Sequence, residues 1–303
     1  MLSQEEQDTP IQIGAGSFAS IYLRLGTRIV YKIVHDTAHA SILIAEYETL
    51  LVIYDTCNDD SFFQLPRPYA FYNPLTKVFF SNGKSASGHS RSSTRSVDMS
   101  PEAFTLLPRI PSYAMERVFK LPVQVGLECR RMFYPEAQKA TAALPVLCRL
   151  YFGKKLSQSR FINPKNFLLD QDRYKFLAEA FGFDPPEEVA KGMGEILARL
   201  HWRAGYDGRD IEMVLGGDGS SGITFYTIDF NQMRLFERTP ASIPQLVEAH
   251  TINDPYYPPA RPSDPLYQSF RDGYLSQCNG QYGNCGLLFL NALETKERER
   301  SQV

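Results

Sequence analysis

The sequence predicts an α+β fold made of a small antiparallel β-rich lobe and a mostly helical lobe. Alternating apolar residues fill 10–34, apolar residues recur at helical spacing over 38–54, and a well-capped helix is predicted from Asp184 onward. Strands that precede helices along a chain are typical of this fold class. With 303 residues and 43% hydrophobic content, the chain can bury the core of such a fold. The predicted lobes are residues 1–118 and 119–303.

The first lobe is predicted to form a sheet of short strands. Ile11 and Ile13 alternate with polar residues, which is the period of a half-buried strand. Gly26 marks the turn between the second and third strands. The predicted strands are one around Ile11 and Ile13, followed by residues 21–25, 28–34, 78–80 and 113–118.

Lys32 is a charged residue on an apolar face of its strand, where an isolated buried ammonium would be costly. We expect it to pair with Glu46, because helical spacing puts Glu46 on the sheet-facing side of the following helix with Ile42 and Leu50. Glu48 points elsewhere by helical phase. A lysine that extends from an edge strand into solvent is the alternative.

A glycine-rich turn joins the first two strands. Gly14 and Gly16 carry no side chains, so the backbone there can approach a phosphate group closely. Ala19 stands where a third glycine would complete a phosphate-binding loop. Taken alone, this segment is equally typical of an ordinary β-turn.

A serine-rich and basic segment follows the first strands. Residues 84–96 contain no apolar anchor, and a disordered loop is predicted over 84–100. A mobile surface loop is the simplest interpretation. The alternative is a phosphoacceptor segment whose added phosphates pair with the local arginines.

The second lobe is predicted to be mostly helical. Asp184 and Pro185 begin a helix whose buried stripe continues to His201 and Trp202, which we interpret as core residues at its end. The other predicted elements are a strand at 147–152, a hairpin formed by 211–215 and 223–228, two helices after the proline-rich stretch 254–265, and a frayed end from Lys296 to Val303.

Carboxylates gather around the predicted hairpin. Asp229 ends a buried strand, and magnesium commonly takes one or two carboxylates together with phosphate oxygens. Asp207 and Glu212 are five residues apart, the spacing of an acceptor-positioning aspartate and a second metal ligand in phosphoryl-transfer sites. Asp210 offers a rival register for the aspartate, and a polar turn that caps the helix is the alternative to both. Asn231 is expected to let the backbone turn through the left-handed region.

Residues 13–118 and 186–231 resemble the protein-kinase and aminoglycoside-phosphotransferase-like superfamily. The resemblance implies a two-lobed kinase-like fold with ATP and magnesium in a cleft between the lobes. It also implies phosphate contacts from Gly14, Gly16, Lys32 and Glu46, a nucleotide-contacting hinge at Met115, metal ligation by Asp229 and Glu212, and catalytic roles for Lys32 and Asp207. The chain departs from the pattern because no lysine follows the catalytic aspartate, no Ala-Pro-Glu follows Asp229, the part after residue 260 is short, and residues 120–185 form an insertion.

A second resemblance covers residues 105–260, which are similar to a fungal family of uncharacterised proteins often labelled zinc finger proteins. The segments that carry it are Cys148–Lys154, Asn166-Phe167, Leu200–Trp202, Asp207–Gly216 and Ile228–Gln232. The five cysteines and five histidines are dispersed, and no Cys-x-x-Cys pair occurs. We therefore expect no zinc.

Composition narrows the function classes. The net charge of −2 gives no electrostatic footprint for nucleic acid, which leaves nucleic-acid binding as a remote alternative. Scattered cysteines and the lack of a signal-peptide pattern predict an intracellular protein, cytoplasmic or nuclear, with no membrane span. The leading hypothesis is a kinase-like protein that binds ATP and magnesium, either as a phosphotransferase or as an inactive interaction module. A protein partner would bind through 84–100 or 120–185.

Overall fold

The chain divides into two compact units. The computed structural model describes residues 9–81, 99–157, 162–278 and 280–302. Unit 1 comprises the chain up to Asp55 together with Pro66–Arg117, and unit 2 comprises Thr56–Leu65 together with Val118–Val303. The predicted lobe boundary at 118 lies next to this division. The short segment Thr56–Leu65, however, belongs to unit 2, whereas the prediction placed it in the first lobe.

Unit 1 contains a six-stranded antiparallel sheet and one long helix. The strands pair in the order β1-β2-β3-β6-β4-β5. Their bounds are β1 Ile11–Ala15, β2 Ala19–Leu23, β3 Ile29–Val34, β4 Pro68–Asn73, β5 Val78–Ser81 and β6 Ser112–Glu116, and helix α1 is Ala40–Cys57. All five predicted strands are present. The additional strand, β4, begins at a proline, which a strand tolerates at its first residue.

Both faces of the unit 1 sheet are covered. On one face lies α1, whose Tyr47 ring is 6.0 Å from the ring of Phe71 in β4. Ile42, predicted on the buried face of this helix, is instead 43% exposed, because the buried stripe begins one position later at Leu43. The other face carries a core cluster of Tyr31, Ile33, Ala70, Met99, Phe104, Leu107 and Ala114.

The predicted disordered loop 84–100 lies outside the described residues except for its last two. Met99 is buried in the core cluster, and Ser100 precedes a short 3₁₀ turn at Pro101–Phe104. These two residues therefore belong to the folded unit, contrary to the prediction.

Unit 2 combines helices with a four-stranded sheet in the order β10-β9-β7-β8. β7 and β8 are parallel, and the other pairs are antiparallel. The bounds are α2 Val123–Phe133, α3 Glu136–Lys139, β7 Cys148–Tyr151, β8 Phe167–Asp170, α4 Gln171–Phe181, α5 Pro186–Arg199, β9 Glu212–Gly217, β10 Ile223–Ile228, α6 Ile243–Ile252, α7 Pro265–Ser276 and α8 Gly283–Ser301. The α+β class is thus confirmed, and this content of elements is compatible with a kinase-like fold.

Most predicted elements of unit 2 are present. The hairpin pairs Glu212 with Ile228 at one end and Gly217 with Ile223 at the other. The helix predicted from Asp184 begins later, since Pro185 occupies the cap position. β8 and α6 were not predicted from the sequence, and no bounds were predicted for α2, α3 and α4.

The prediction that the chain frays from Lys296 is wrong, since α8 continues to Ser301. Two contacts hold this last part. Lys296 Nζ donates to Thr251 Oγ1 at 3.0 Å, and Arg261 lies 2.8 Å from Glu297. Neither α8 nor any other helix in the described ranges is long and apolar enough to cross a membrane.

A buried arginine fixes the segment Thr56–Leu65 within unit 2. Arg199 is 5% exposed and donates to the carbonyl of Cys57 at 3.1 Å. It also donates to the carbonyls of Asp59 and, at 3.2 Å, Asp60. The planar guanidinium can serve several backbone acceptors at once, so one side chain holds a whole turn.

Residues predicted to be structural are indeed buried. His201 and Trp202 are 0% and 3% exposed, and they lie in a π-helical turn, Leu200–Ala204, that extends α5. All five cysteines are buried and free of disulfide bonds. The cysteines are therefore packed thiols.

Candidate functional site

The ion pair predicted between Lys32 and Glu46 is present in unit 1, and we refer to it as the lysine pair. Lys32 Nζ lies 2.6 Å from Glu46 Oε1, and the side chains are 12% and 2% exposed. Tyr113 of β6 donates its hydroxyl to the same Oε1 atom at 3.1 Å. Buried charges are tolerated when they are paired and hydrogen-bonded. The pair therefore holds the Lys32 ammonium at a defined place on β3.

The glycine-rich turn between β1 and β2 does not need its glycines for conformation. The amide of Gly16 donates to the Ala19 carbonyl at 2.8 Å and closes the turn. Neither Gly14 nor Gly16 has a positive φ, and a Cβ atom at either would meet its nearest neighbour at an ordinary 3.6 Å. The two glycines therefore remove side chains at their own positions instead of relieving strain.

Phe18 of the same turn lies over the lysine pair. Its ring centroid is 4.9 Å from Lys32 Nζ, within the range of a cation–π interaction. The ring also makes an edge contact with His39, with centroids 6.3 Å apart. The turn and the lysine pair are therefore one connected feature of unit 1.

Met115, the predicted hinge residue, lies in β6 and is half-buried. It is opposite Val30 of β3 and Pro68 of β4. Its contact with a nucleotide stays a prediction.

Unit 2 brings four carboxylates together, and we refer to Asp210, Glu212, Asp229 and Asp254 as the acidic cluster. Glu212 opens β9 and pairs with Ile228, so Asp229 directly follows the residue opposite Glu212. Asp210 precedes β9, and Asp254 lies two residues after the end of α6. The charges of the three aspartates all act on Glu212.

Burial and neighbouring charges shift the pKa values of Glu212 and Asp210. The pKa of Glu212 is raised to about 7, because burial raises it, Arg149 lowers it by less, and the charges of the three aspartates raise it. Burial raises the pKa of Asp210 as well, and the charges of Asp229 and Asp254 add to this effect. Carboxylates crowded in this way are stabilised by a nearby cation.

Arg149 of β7 is that cation in this structure. Its guanidinium donates to Glu212 Oε1 and, at 3.3 Å, to Asp254 Oδ2. Tyr151, on the same face of β7, donates its hydroxyl to Asp254 Oδ2 at 2.5 Å. No chemical role was predicted for either residue. The segment Cys148–Lys154 was noted only for a family resemblance, because an arginine in a strand carries no functional signal of its own.

Two members of the acidic cluster have a left-handed backbone. φ is 60° at Asp210 and 64° at Asp229. This conformation costs a non-glycine residue about 1–2 kcal/mol and is found disproportionately at functional sites. The prediction assigned such a turn to Asn231, but in the segment Ile228–Gln232 the positive φ belongs to Asp229.

The carboxylate of Asp207 is committed to other partners, and its side chain is fully buried. Its four donors are the amides of Arg209 and Arg234 at 3.1 and 3.0 Å, Arg234 Nε at 2.6 Å and Gln245 Nε2 at 3.1 Å. A carboxylate with this many donors holds its loop together. Asp210, the rival register, is the aspartate that the structure places with Glu212 and Asp229, whereas the catalytic role of Asp207 stays a prediction.

The donor set of the acidic cluster suits a hard cation. In the part of the chain that the structure describes, no group of three or more His, Cys, Asp or Glu side chains is placed to hold a metal ion. Magnesium, however, needs only one or two carboxylates when phosphate and water supply the other oxygens. Glu212 and Asp229 meet that need. The nearby Asn231 Oδ1 is buried and has no hydrogen-bond partner within the described residues.

A comparison with protein families finds that the family model described as "Zinc finger protein" matches residues 225–283. The matched part includes most of β10, Asp229, α6 and α7. It supports the family label that the sequence suggested for residues 105–260, and it covers well under half of the chain. No curated protein matches the chain.

Proposed function

We propose that the protein is a divergent kinase-like protein that binds ATP with magnesium. In this proposal Lys32, held by Glu46, contacts the phosphates together with the glycine-rich turn, and Asp229 and Glu212 hold the magnesium ion. The lysine pair is the observation that carries the proposal. Burying a lysine is costly, and here the buried ammonium is fixed beside a turn that carries no side chain at Gly14 and Gly16.

Three further observations support the proposal. The glycines of the turn are not required by the backbone, so another reason for them is needed. The left-handed conformations of Asp210 and Asp229 are of the kind retained where function needs them. The five buried thiols without disulfides suit an intracellular protein, cytoplasmic or nuclear, where nucleotide is present.

Calorimetric titration of the full chain with ATP, with and without magnesium, tests the proposal. We expect binding that requires magnesium. Lys32→Met should weaken it about tenfold or more, since hydrogen bonds to charged groups contribute about 1.5–3 kcal/mol. Asp229→Asn should remove the dependence on magnesium.

The exposed Lys175, whose side chain is 63% accessible, provides the matched control Lys175→Met. This variant should bind as the unaltered protein does. If the unaltered protein shows no magnesium-dependent binding and Lys32→Met behaves identically, the proposal is wrong.

A catalytically inactive kinase-like interaction module is the second candidate. Two observations favour it: the carboxylate of Asp207 is saturated by four donors, and Glu212 is already engaged by Arg149. Such a module would transfer no phosphate and would bind a protein partner through residues 84–100 or the insertion 120–185. Turnover of labelled γ-phosphate that disappears in Asp229→Ala would exclude it.

A further inference from the structure

Arg149 occupies a special position because it places a permanent positive charge among the carboxylates proposed to hold magnesium. Its guanidinium donates to Glu212 Oε1 and Asp254 Oδ2. The side chain of Arg149 is 25% exposed and that of Glu212 is 19% exposed, so solvent screens this contact only in part. The Oε1 atom of Glu212 is therefore already engaged by a positive charge.

Asp254 differs from the other members of the acidic cluster because it lies at the exposed side of the arginine. Its side chain is 49% exposed, and Tyr151 fixes its Oδ2 atom. If the guanidinium leaves Glu212, Asp254 remains available as its partner. Arg149 can thus keep its hydrogen bond to Asp254 when its contact with Glu212 breaks.

We infer that Arg149 is a built-in counter-ion of the acidic cluster, and that a divalent cation binds Glu212 by displacing the Arg149 guanidinium. This inference rests on the proposed function and specifies how its metal site is regulated. Arginine suits the role because its planar donors hold carboxylates in defined geometry and its charge is permanent. Because the incoming cation must break the ion pair between Arg149 and Glu212, the affinity of the protein for the cation is lowered.

Binding of manganese to the full chain, followed by the loss of the free-ion signal in electron paramagnetic resonance, tests the exchange at mildly alkaline pH. Arg149→Gln should bind the ion about tenfold more tightly than the unaltered protein, because removing one nearby positive charge favours a dication. Arg149→Lys should bind it about threefold more tightly, since lysine keeps the charge but cannot bridge two carboxylates as a fork.

Arg131→Gln is the matched control. Arg131 is an exposed arginine of the same unit that pairs with Glu128. This variant changes the net charge by the same amount, and we expect its manganese affinity to equal that of the unaltered protein. Thermal unfolding followed by circular dichroism establishes that each variant is folded.

Each result is decisive. Equal or weaker manganese binding by Arg149→Gln overturns the inference, and the proposed metal site survives if Asp229→Asn still weakens binding. Should Arg149→Gln not fold, equal binding by Arg149→Lys and the unaltered protein overturns it. Failure of manganese to bind any variant, together with the absence of magnesium-dependent ATP binding, overturns the inference and the proposed function together.

Discussion

Glu46 is the residue on which the burial of the Lys32 charge depends. Its Oε1 atom accepts from both Lys32 and Tyr113, and its side chain is 2% exposed. Replacing it by the neutral Glu46→Gln would leave the ammonium in the same place without a countercharge. We expect a loss of about 3 kcal/mol in the free energy of unfolding, since breaking one partner of a buried pair is strongly destabilising. Chemical denaturation measures this loss.

Glu48 provides the matched control for this experiment. It lies on the same helix two residues further, but its side chain is exposed. Glu48→Gln should change the free energy of unfolding by less than about 0.5 kcal/mol, as surface substitutions usually do. Equal effects of the two substitutions would mean that the lysine pair does not contribute to stability.

Among individual side-chain contacts, the sequence predicts those that follow from the periodicity of neighbouring elements. The Lys32–Glu46 pair follows from strand alternation and helical phase over a few turns of chain. The saturation of Asp207 could not be predicted, because its donors Arg234 and Gln245 come from a loop and a helix much later in the sequence. Arg149 was missed for the same reason, since its acceptors lie in β9 and after α6.

Two helices of unit 2 approach each other through glycines. A Cβ atom on Gly194 of α5 would lie 2.0 Å from the carbonyl oxygen of Phe270 in α7, and one on Gly273 of α7 would lie 2.1 Å from that of Lys191. These neighbours are backbone atoms, which cannot rotate away. Gly194→Ala should therefore lower the free energy of unfolding by about 3 kcal/mol or more, the upper part of the range for overpacking. Urea unfolding measures it.

Gly126 of α2 offers a comparison within the same unit. A Cβ atom there would meet the Cβ atom of Leu144 at 3.3 Å, and Leu144 lies in a loop, so a shift of a few tenths of an ångström relieves the contact. Alanine also favours a helix over glycine by about 1 kcal/mol. Gly126→Ala should thus be neutral or stabilising. If Gly194→Ala is as well tolerated, the close approach of α5 and α7 is not a requirement of the fold.

Helices and strands with a strong apolar periodicity could be predicted from the sequence, whereas those with a weak periodicity could not. The buried stripe of α5 and the β9–β10 hairpin were predicted because their patterns extend over many residues. α6 buries only Ile243, Leu246 and Ala249, which is too short a pattern to stand out. The four-residue run Phe167–Asp170 of β8 shows no alternation of apolar and polar residues that would separate a strand from a helix.

At the scale of the whole molecule, the α+β class could be predicted because each segment reports its own period. The membership of Thr56–Leu65 in unit 2 could not, since it depends on Arg199 donating to carbonyls far away in the sequence. A contact of this kind leaves no mark in the periodicity of either segment. Local patterns therefore predicted the elements, and long-range polar contacts decided how the chain is divided.

Acid stability is a property of the whole molecule that depends on its core. His201 is fully buried, and burial lowers its pKa to about 4. Trp202 Nε1 donates to the Tyr274 hydroxyl at 2.9 Å. His201 Nε2 faces the carbonyl of Asp207, which can only accept, so the neutral ring carries its proton on Nε2 and its Nδ1 accepts from the Tyr274 hydroxyl at 2.7 Å.

Protonation of His201 should therefore oppose folding. In the unfolded chain its pKa returns to the ordinary 6.5, so the unfolded state binds the proton first. The stability it contributes is complete above pH 6.5 and is lost as the pH falls toward 4. The full loss is on the order of 3 kcal/mol, because each unit of pKa difference corresponds to about 1.36 kcal/mol.

Urea unfolding of the full chain across this pH range, with His201→Gln compared with the unaltered protein, measures the effect. The variant should be less stable at neutral pH, because the Tyr274 hydroxyl loses a well-placed acceptor. Its stability should nevertheless fall less steeply with acid, since the buried ring at position 201 no longer titrates. His250, whose pKa burial lowers to about 3, remains and should leave a residual slope. If the two proteins lose stability in parallel, His201 binds its proton equally in the folded and unfolded states, and the neutral hydrogen-bonded ring does not account for acid sensitivity.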